Sequence, residues 1–318
     1  MPENTTVPGY VCMAVYKPNV DLLRVQIDSL RCQTHADWKC IVGLDGINRE
    51  VAEQLDELTR DDTRFSVVSF ADRVGFYRNF ERILQLLPAQ TPWVALADQD
   101  DYWEPEKLEL LVPYLQDHSL VTGQARIHRH GASELTSQAE AVTDRRSVGL
   151  AAMMIDNQIT GSLALFRGQL LKAALPFPAP TDLAFHDHWL AICASVEMGI
   201  KVLPDVVQDY VQHNSNVIGE EGNTGMLGRL RRLRHASEGS VGSQLDYLSA
   251  HRWGWRVNMA RTVISRHRNL NSSQMRALNL YSHNRFSLGL ISAYAIECMR
   301  GRAPIARSLA LLIGSLRA

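Results

Sequence analysis

Apolar and polar positions alternate in blocks along the first 115 residues. Residues 10–16 (Tyr-Val-Cys-Met-Ala-Val-Tyr) form an apolar run that predicts a buried strand, broken at Lys17-Pro18-Asn19. Leu23, Ile27 and Leu30 then recur at helical spacing behind a cap at Asn19 or Asp21. Residues 40–44 predict a second buried strand ending at Asp45-Gly46, Leu55 and Leu58 suit a helix, and residues 65–70 suit a third strand. Phe80, Ile83, Leu84 and Leu87 fit another helix, before a fourth apolar run, Val94–Ala97, that opens onto Asp98-Gln99-Asp100-Asp101. Pro105 suits a first helical turn, with Leu108, Leu111, Val112 and Leu115 on the inner face.

Four alternations of strand and helix in so short a span predict the α/β class: a mostly parallel sheet with helices on both faces. Ligands of such sheets bind at the carboxyl ends of the strands. Asp45 and Asp98 both fall at those ends, so they are expected to meet. Further on the pattern weakens. Residues 124–160 are polar and less periodic and are expected to include a mobile loop. Residues 162–166 resume a strand, Asp187 to Met198 reads as a helix with Gly199 as its cap, and residues 206–211 read as a strand running into Gln212-His213-Asn214. After a Gly- and Asn-rich break at 219–225 the chain reads as helical to its end, without internal repeats.

The acidic run changes the picture from architecture to chemistry. On an extended chain Asp98 and Asp100 point the same way and Asp101 points away. Paired hard oxygen donors suit Mg²⁺ or Mn²⁺ with substrate phosphates completing the shell. A solvated acidic turn capping the helix at Pro105 is the competing reading. Neither G-x-G-x-x-G nor a P-loop is present, so a phosphate would be held mainly through metal.

Composition is that of an ordinary globular chain of 318 residues, with 46% hydrophobic and 21% charged positions. The five cysteines are scattered, with no C-x-x-C pair, which predicts no zinc site or disulfide framework and fits a reducing cytoplasm. Residues 1–9 do not read as a signal peptide, and no apolar stretch is long enough to span a bilayer. The net charge of −1 conceals an asymmetry: from Gly225 onward there are fifteen Arg, no Lys and three acids, a net of +12, leaving −13 for residues 1–224. Such a split suggests an anionic partner for the C-terminal region.

Several ordered motifs then carry a resemblance over roughly residues 10–220. The opening strand with Tyr16 and Pro18, Leu44-Asp45-Gly46, Arg73-Val74-Gly75-Phe76-Tyr77-Arg78-Asn79-Phe80 and Ala97-Asp98-Gln99-Asp100-Asp101-Tyr102-Trp103 come first. Asn157-Gln158-Ile159-Thr160-Gly161-Ser162, His186-Asp187-His188-Trp189 and Gln212-His213-Asn214-Ser215-Asn216-Val217-Ile218-Gly219 follow. Together they resemble the family 2 glycosyltransferases, most closely a bacterial rhamnosyltransferase-like branch. Leu44 stands where that family carries a first Asp, Ile47 where it carries Ser, and Arg73 where it carries Asn.

The resemblance implies a GT-A fold, the mixed, mainly parallel sheet of nucleotide-diphospho-sugar transferases flanked by helices, with a C-terminal all-helical extension. It implies a GT-A catalytic domain over 1–222 and an arginine-rich helical region over 223–318. The implied activity is inverting, metal-dependent sugar transfer from a nucleotide-diphosphate sugar to a glycan or lipid-linked acceptor in bacterial surface polysaccharide biosynthesis. Tyr16, Asp45, Arg73, Gly75, Asn79, Asp98 and Gln99 are the implied nucleotide-sugar residues, with Asp98 toward the ribose. Asp100 and His213 are the implied ligands of Mg²⁺ or Mn²⁺, and Gly161 and Trp189 lie on the acceptor side. Asp187 is the implied base, at a helix start where the dipole favours its ionised form.

The arginine-rich tail has two readings: a solvated helical region packed on the catalytic body, or an interfacial anchor on an anionic inner membrane, with Trp253 and Trp255 at headgroup level. No nucleic-acid recognition fold accompanies the arginines, so no nucleic acid is expected. Two other functions compete. A phosphohydrolase of the haloacid dehalogenase type also places D-x-D after a strand, but takes Thr or Val where this chain has Tyr102. A catalytically inactive sugar-binding relative would fit the altered turn at Leu44-Asp45.

Overall fold

The computed structural model describes residues 7–129, 139, 141–180, 184–212 and 246–317. Its contacts divide the chain into two compact units. One is built within Met1–Arg146, Ile159–Leu175 and Glu197–Glu220, the other within Ser147–Gln158, Pro176–Val196 and Glu221–Ala318.

The first unit carries the sheet. Strands β1 (Gly9–Val15), β2 (Trp38–Leu44), β3 (Phe65–Ser69) and β4 (Trp93–Ala97) alternate with helices α1 (Val20–Arg31), α2 (Arg49–Thr59) and α3 (Gly75–Leu84). A two-residue β5 (Tyr102–Trp103) follows, then α4 (Lys107–Leu111), β6 (Leu120–Arg129), β7 (Ala141–Val142), β8 (Ala164–Arg167), α6 (Leu171–Ala174) and β9 (Ile200–Gln212). Among the described residues nine strands join in the order β3-β2-β1-β4-β8-β6-β9-β5, with β7 beside β6. The β3-β2-β1-β4 half is parallel, β8 runs antiparallel to both its neighbours, and β6 and β9 are parallel again. The carboxyl ends of six strands thus share one edge.

The predicted caps and faces explain this half. Asn19 caps α1 by accepting from Asp21 and Leu22 N–H groups. Leu23, Ile27 and Leu30, with Val51, Leu55 and Leu58 of α2, pack on Val11, Met13, Val15, Val42 and Leu44. Each such burial is worth about 1.5–3 kcal/mol. Helix α3 takes the opposite face, where Gly43 makes room for it: a Cβ there would lie 2.4 Å from Ile83.

Regular structure also enters the 124–160 region, where the residue pattern gave no sign of it. Strand β6 runs through its start and a short helix, α5 (Leu150–Ile155), lies near its end. Strand β6 has Thr122 and Ala125 buried at 0% and 1%, and α5 buries five of its six residues. Elements buried on all sides show no polar–apolar period.

The second unit comprises α5, α7 (His186–Val196), a π-helical turn at Leu248–Trp253, and helices α8 (Gly254–Arg266), α9 (Ser272–Ser282), α10 (Leu288–Met299) and α11 (Ile305–Ser315). So short a helix as α5 needs its last carbonyls satisfied from outside. His188 Nε2 lies 2.9 Å from Met153 O and donates to it, since a carbonyl only accepts. The Arg256 guanidinium donates to Met154 O at 3.1 Å and Ile155 O at 3.3 Å, and Arg307 pairs with Asp156 at 2.6 Å. Trp253 and Trp255 are both fully buried, which corrects the expectation of a headgroup belt. Trp253 packs beside Tyr281 and donates its indole N–H to Asn284.

Burial pushes His186 down to about 3. It also holds His188 well below the usual 6.5, helped by the nearby Arg256 charge and opposed by the Met153 bond. Both rings are therefore neutral when folded and must gain protons on unfolding in acid. The second unit is expected to lose stability as pH falls from 6.5 toward about 3, by up to about 1.4 kcal/mol per pH unit per histidine. Urea titrations at pH 7.5 and pH 5 test this. A His188→Gln protein, which keeps a donor for Met153, is expected to show the shallower pH dependence.

Candidate active site

The shared carboxyl edge is set by register. Val15 of β1 lies opposite Leu44 of β2, and Met13 opposite Ala97 of β4, so Tyr16, Asp45 and the segment after Ala97 emerge side by side. The side chain of Gln99 makes this physical. Its Oε1 accepts from Tyr16 N at 2.8 Å and its Nε2 donates to Tyr16 O at 3.2 Å, clamping the acidic segment to the end of β1.

Asp45 is 4% exposed and does a structural task at this edge. Its two oxygens accept from Val74 N and Gly75 N, each at 2.8 Å, and from Arg82 at 2.6 Å. This fixes the turn that starts α3. Gly75 takes φ +80°, and the surrounding space is open, so the backbone conformation alone asks for glycine there. Arg82 is held in turn by Asn79 Oδ1, Asp72 O and the face of Phe70, while Asn79 donates to Gly43 O. Asn79, at 1% exposure, faces the interior. The clamp leaves Arg73 exposed, its guanidinium 4.2 Å from the centre of the Tyr16 ring. Tyr16 and Arg73 thus present a flat, cationic stack beside Gln99.

The acidic segment is a bend rather than extended strand, since β4 ends at Ala97. Asp98 and Asp100 are half-buried, whereas Asp101 is turned fully inward. Asp101 accepts from Gln208 Nε2 at 2.6 Å and from Val211 N at 3.2 Å. The same Gln208 amide accepts from Lys107 Nζ at 2.9 Å and donates to Ser162 Oγ at 3.0 Å. Lys107 also donates to Ser162 O and sits 3.5 Å over the Trp103 ring.

Burial pushes the Asp101 carboxyl up, and the charges of Asp100 and Asp98 push it further, against the pull of Val211 N–H and Lys107. Burial likewise pushes Lys107 down, opposed by Asp101 and Asp98. Against those shifts the bonding favours the charged forms: both Asp101 oxygens receive N–H donors, and Lys107 donates to two acceptors while lying over the Trp103 face.

This network brings Gly161, the first residue of a 3-10 turn over Gly161–Leu163, into the same unit as the acidic segment through its neighbour Ser162. Asp187 and Trp189 belong to the second unit. Asp187 lies half-buried in the first turn of α7 and accepts from His188 N at 2.5 Å. Trp189 is 0% exposed, with Arg266 5.6 Å from its ring, so it presents no open stacking face. His213, and the motif that follows Gln212, lie outside the described residues.

Among the described residues no group of three or more His, Cys, Asp or Glu side chains has metal-holding geometry. Asp98 and Asp100 still supply two hard oxygen donors at the strand edge. That set fits a small dication whose other ligands are phosphates and water. Sequence reasoning missed Gln208 and Arg82. A glutamine inside the run Val206-Val207-Gln208 is the signal for the first, because a buried amide must find partners.

Residues 10–169 match the family described as "Glycosyl transferase family 2". That is half of the chain, and the chain belongs to this family. It is similar to the putative teichuronic acid biosynthesis glycosyltransferase TuaG of Bacillus subtilis, 24% identical over 156 residues, or 46% of this chain and 61% of that protein. The matches span between 12% and 61% of the curated relatives' lengths. Among solved structures, residues 1–349 of S. aureus TarS with UDP-GlcNAc align over 98% of this chain and 89% of that one, with a TM-score of 0.54 and 14% identity. A mannosyltransferase from Pyrobaculum calidifontis, solved with GDP-Man and Mn²⁺, aligns over 98% of this chain and 80% of that one, with a TM-score of 0.53 and 15% identity. At such identities the likeness is one of fold, and the fold is GT-A with C-terminal helices.

Replacing Lys107 by Met leaves the buried Asp101 carboxylate without its counter-charge, and is expected to cost about 3–5 kcal/mol of stability. Adding Asp101→Asn should return most of that loss. Urea unfolding of the single and double variants is the check. Equal stability of the single variant and the native chain would contradict the ionised pair.

Proposed function

We propose that the chain is an inverting, metal-dependent glycosyltransferase with residues 1–222 as its catalytic domain. It transfers a rhamnosyl or other hexosyl unit from a nucleoside diphosphate to a hydroxyl of a glycan or lipid-linked acceptor. The setting proposed is bacterial surface polysaccharide biosynthesis in the cytoplasm. The observation that carries this reading is the strand edge where half-buried Asp98 and Asp100 follow β4, clamped beside the Tyr16–Arg73 stack by Gln99. The donors bound by TarS and by the Pyrobaculum enzyme, UDP-GlcNAc and GDP-Man, support a nucleotide-sugar at such an edge. The name of TuaG supports the polysaccharide setting.

In this reading the base and ribose lie against Tyr16, Arg73 and Asp98. Asp45, Gly75 and Asn79 act on the nucleotide through the turn they hold. Asp100 and His213 would hold Mg²⁺ or Mn²⁺, whose charge neutralises the departing diphosphate. Asp187 removes the proton from the acceptor hydroxyl as that oxygen bonds to the anomeric carbon. The bond from that carbon to the diphosphate oxygen breaks on the opposite face, inverting the centre. Gly161 lines the acceptor side, and Trp189 supports α7 from within.

A thermal-shift panel of UDP-, GDP- and dTDP-sugars with and without Mn²⁺ tests the donor site. One of them is expected to stabilise the chain only with the metal, by about 2.7 kcal/mol at a hundredfold excess over Kd. Stabilisation by none, or hydrolysis of simple phosphate esters that Asp98→Ala abolishes, would overturn the reading in favour of an inactive relative or a phosphohydrolase. Asp187→Asn is expected to lower kcat about 10²–10⁴-fold while the metal-dependent donor shift persists. An unchanged kcat removes Asp187 from the role of base.

A further inference from the structure

Helices α10 and α11 each have an inner face already occupied and an outer face that is apolar. Helix α10 buries Leu290, Tyr294 and Glu297, and α11 buries Ser308, Leu311, Gly314 and Ser315. The inner packing of α11 is close: a Cβ on Gly314 would lie 2.6 Å from Leu248 O. Outward, α10 exposes Leu288, Ile291, Ile296 and Met299, the last at 80%. Helix α11 and its cap expose Ile305, Leu309, Ile313 and Leu316, with the first three spaced four residues apart along one stripe. Eight of the fifteen exposed large apolar side chains among the described residues therefore sit on this helix pair. That concentration marks an interaction surface rather than scattered surface residues.

Charge identifies the partner. Arg285, Arg300, Arg302 and Arg317 flank the two helices; among the described residues the acids beside them are Glu297, which faces Arg300 and Arg302, and Asp246, which pairs with Arg317, while Asp156 pairs with Arg307 of α11. Across residues 246–317 there are eleven Arg, no Lys and two acids. A second copy seated by two-fold symmetry would bring this arginine rim against its own likeness, at an electrostatic cost. An anionic surface meets the rim favourably. Helices of 12 and 11 residues reach about 16–18 Å, well short of a bilayer's hydrocarbon core, and no described helix is long and apolar enough to cross a membrane. Short helices with an apolar outer stripe and basic flanks lie in the headgroup plane. We infer that the outer face of α10 and α11 docks the chain on an anionic lipid bilayer.

The test is flotation of the full chain with vesicles of pure phosphatidylcholine and of equimolar phosphatidylcholine and phosphatidylglycerol. The native chain is expected to float with the anionic vesicles and much less with the neutral ones. A variant carrying Ile291→Gln, Met299→Gln, Ile305→Gln and Leu309→Gln alters only exposed positions. It is expected to bind anionic vesicles about tenfold or more weakly, with an unchanged melting temperature. An Arg285→Gln, Arg317→Gln pair is expected to narrow the difference between the two vesicle types. No flotation of the native chain, equal flotation with neutral lipid, or full binding by the apolar variant would each overturn the inference. So would a native oligomer that the apolar variant turns into monomer in sedimentation velocity, since a second copy would then cover the face. The metal-dependent donor shift, measured on the same variant, is expected to be unchanged, so failure on vesicles is separate from failure of the glycosyltransferase reading.

Discussion

A buried carboxylate and a buried ammonium that do not touch, but meet through one amide, organise the acid-bearing edge of this sheet. Gln208 stands between Asp101 and Lys107, donating a hydrogen bond from its N–H to one and accepting one at its carbonyl oxygen from the other. It thereby ties β5, α4, β9 and the turn at Ser162 into a single arrangement. Burying two charges is expensive unless each lone pair and proton is used. Here the remaining positions go to Val211 N, Ser162 O and the Trp103 ring. With Asp101 consumed internally, the bend has one inward carboxylate and two half-buried ones.

The turn at Arg73 has a matching dependence on Asp45. Its carboxylate accepts from two consecutive backbone N–H groups at the start of α3 and from Arg82, so an acid at the end of β2 anchors the start of a helix that begins one strand later. The second unit spends its arginines in a comparable way. Arg256 and Arg307 answer the C-terminal end of α5, Arg266 donates to Pro176 O and Arg261 to Ser282 O. The excess of arginine is therefore partly a set of carbonyl partners for short helices and partly a flank for an apolar face.

What could be read in the sequence follows from periodicity. The alternation from Tyr10 to Leu115, the cap at Asn19 and the strand ends at Asp45 and Asp98 are local signals, and the parallel half of the sheet realises them. Strand β6 and helix α5 are largely buried and carry no such signal, so the pattern over 124–160 did not reveal them. Trp253 and Trp255 show the same limit in reverse: aromatic residues among arginines suggested an interface, yet long-range packing against α9 buries them. In the candidate site, the residues nearest the acidic segment were legible as motif members. That Asp45 and Asn79 face inward, and that Gln208 completes the network, depends on contacts between residues far apart in the chain.

The central claim is that the carboxylates after β4 hold a dication only in company with a nucleoside diphosphate. Electron paramagnetic resonance of Mn²⁺ titrated into the full chain, with and without UDP or GDP, measures that coupling directly. Weak Mn²⁺ binding alone, tight binding with one of the two nucleotides, and loss of the tight site in Asp100→Asn with the fold intact are expected. Nucleotide binding that is equally tight in chelator and in Asp100→Asn would contradict it.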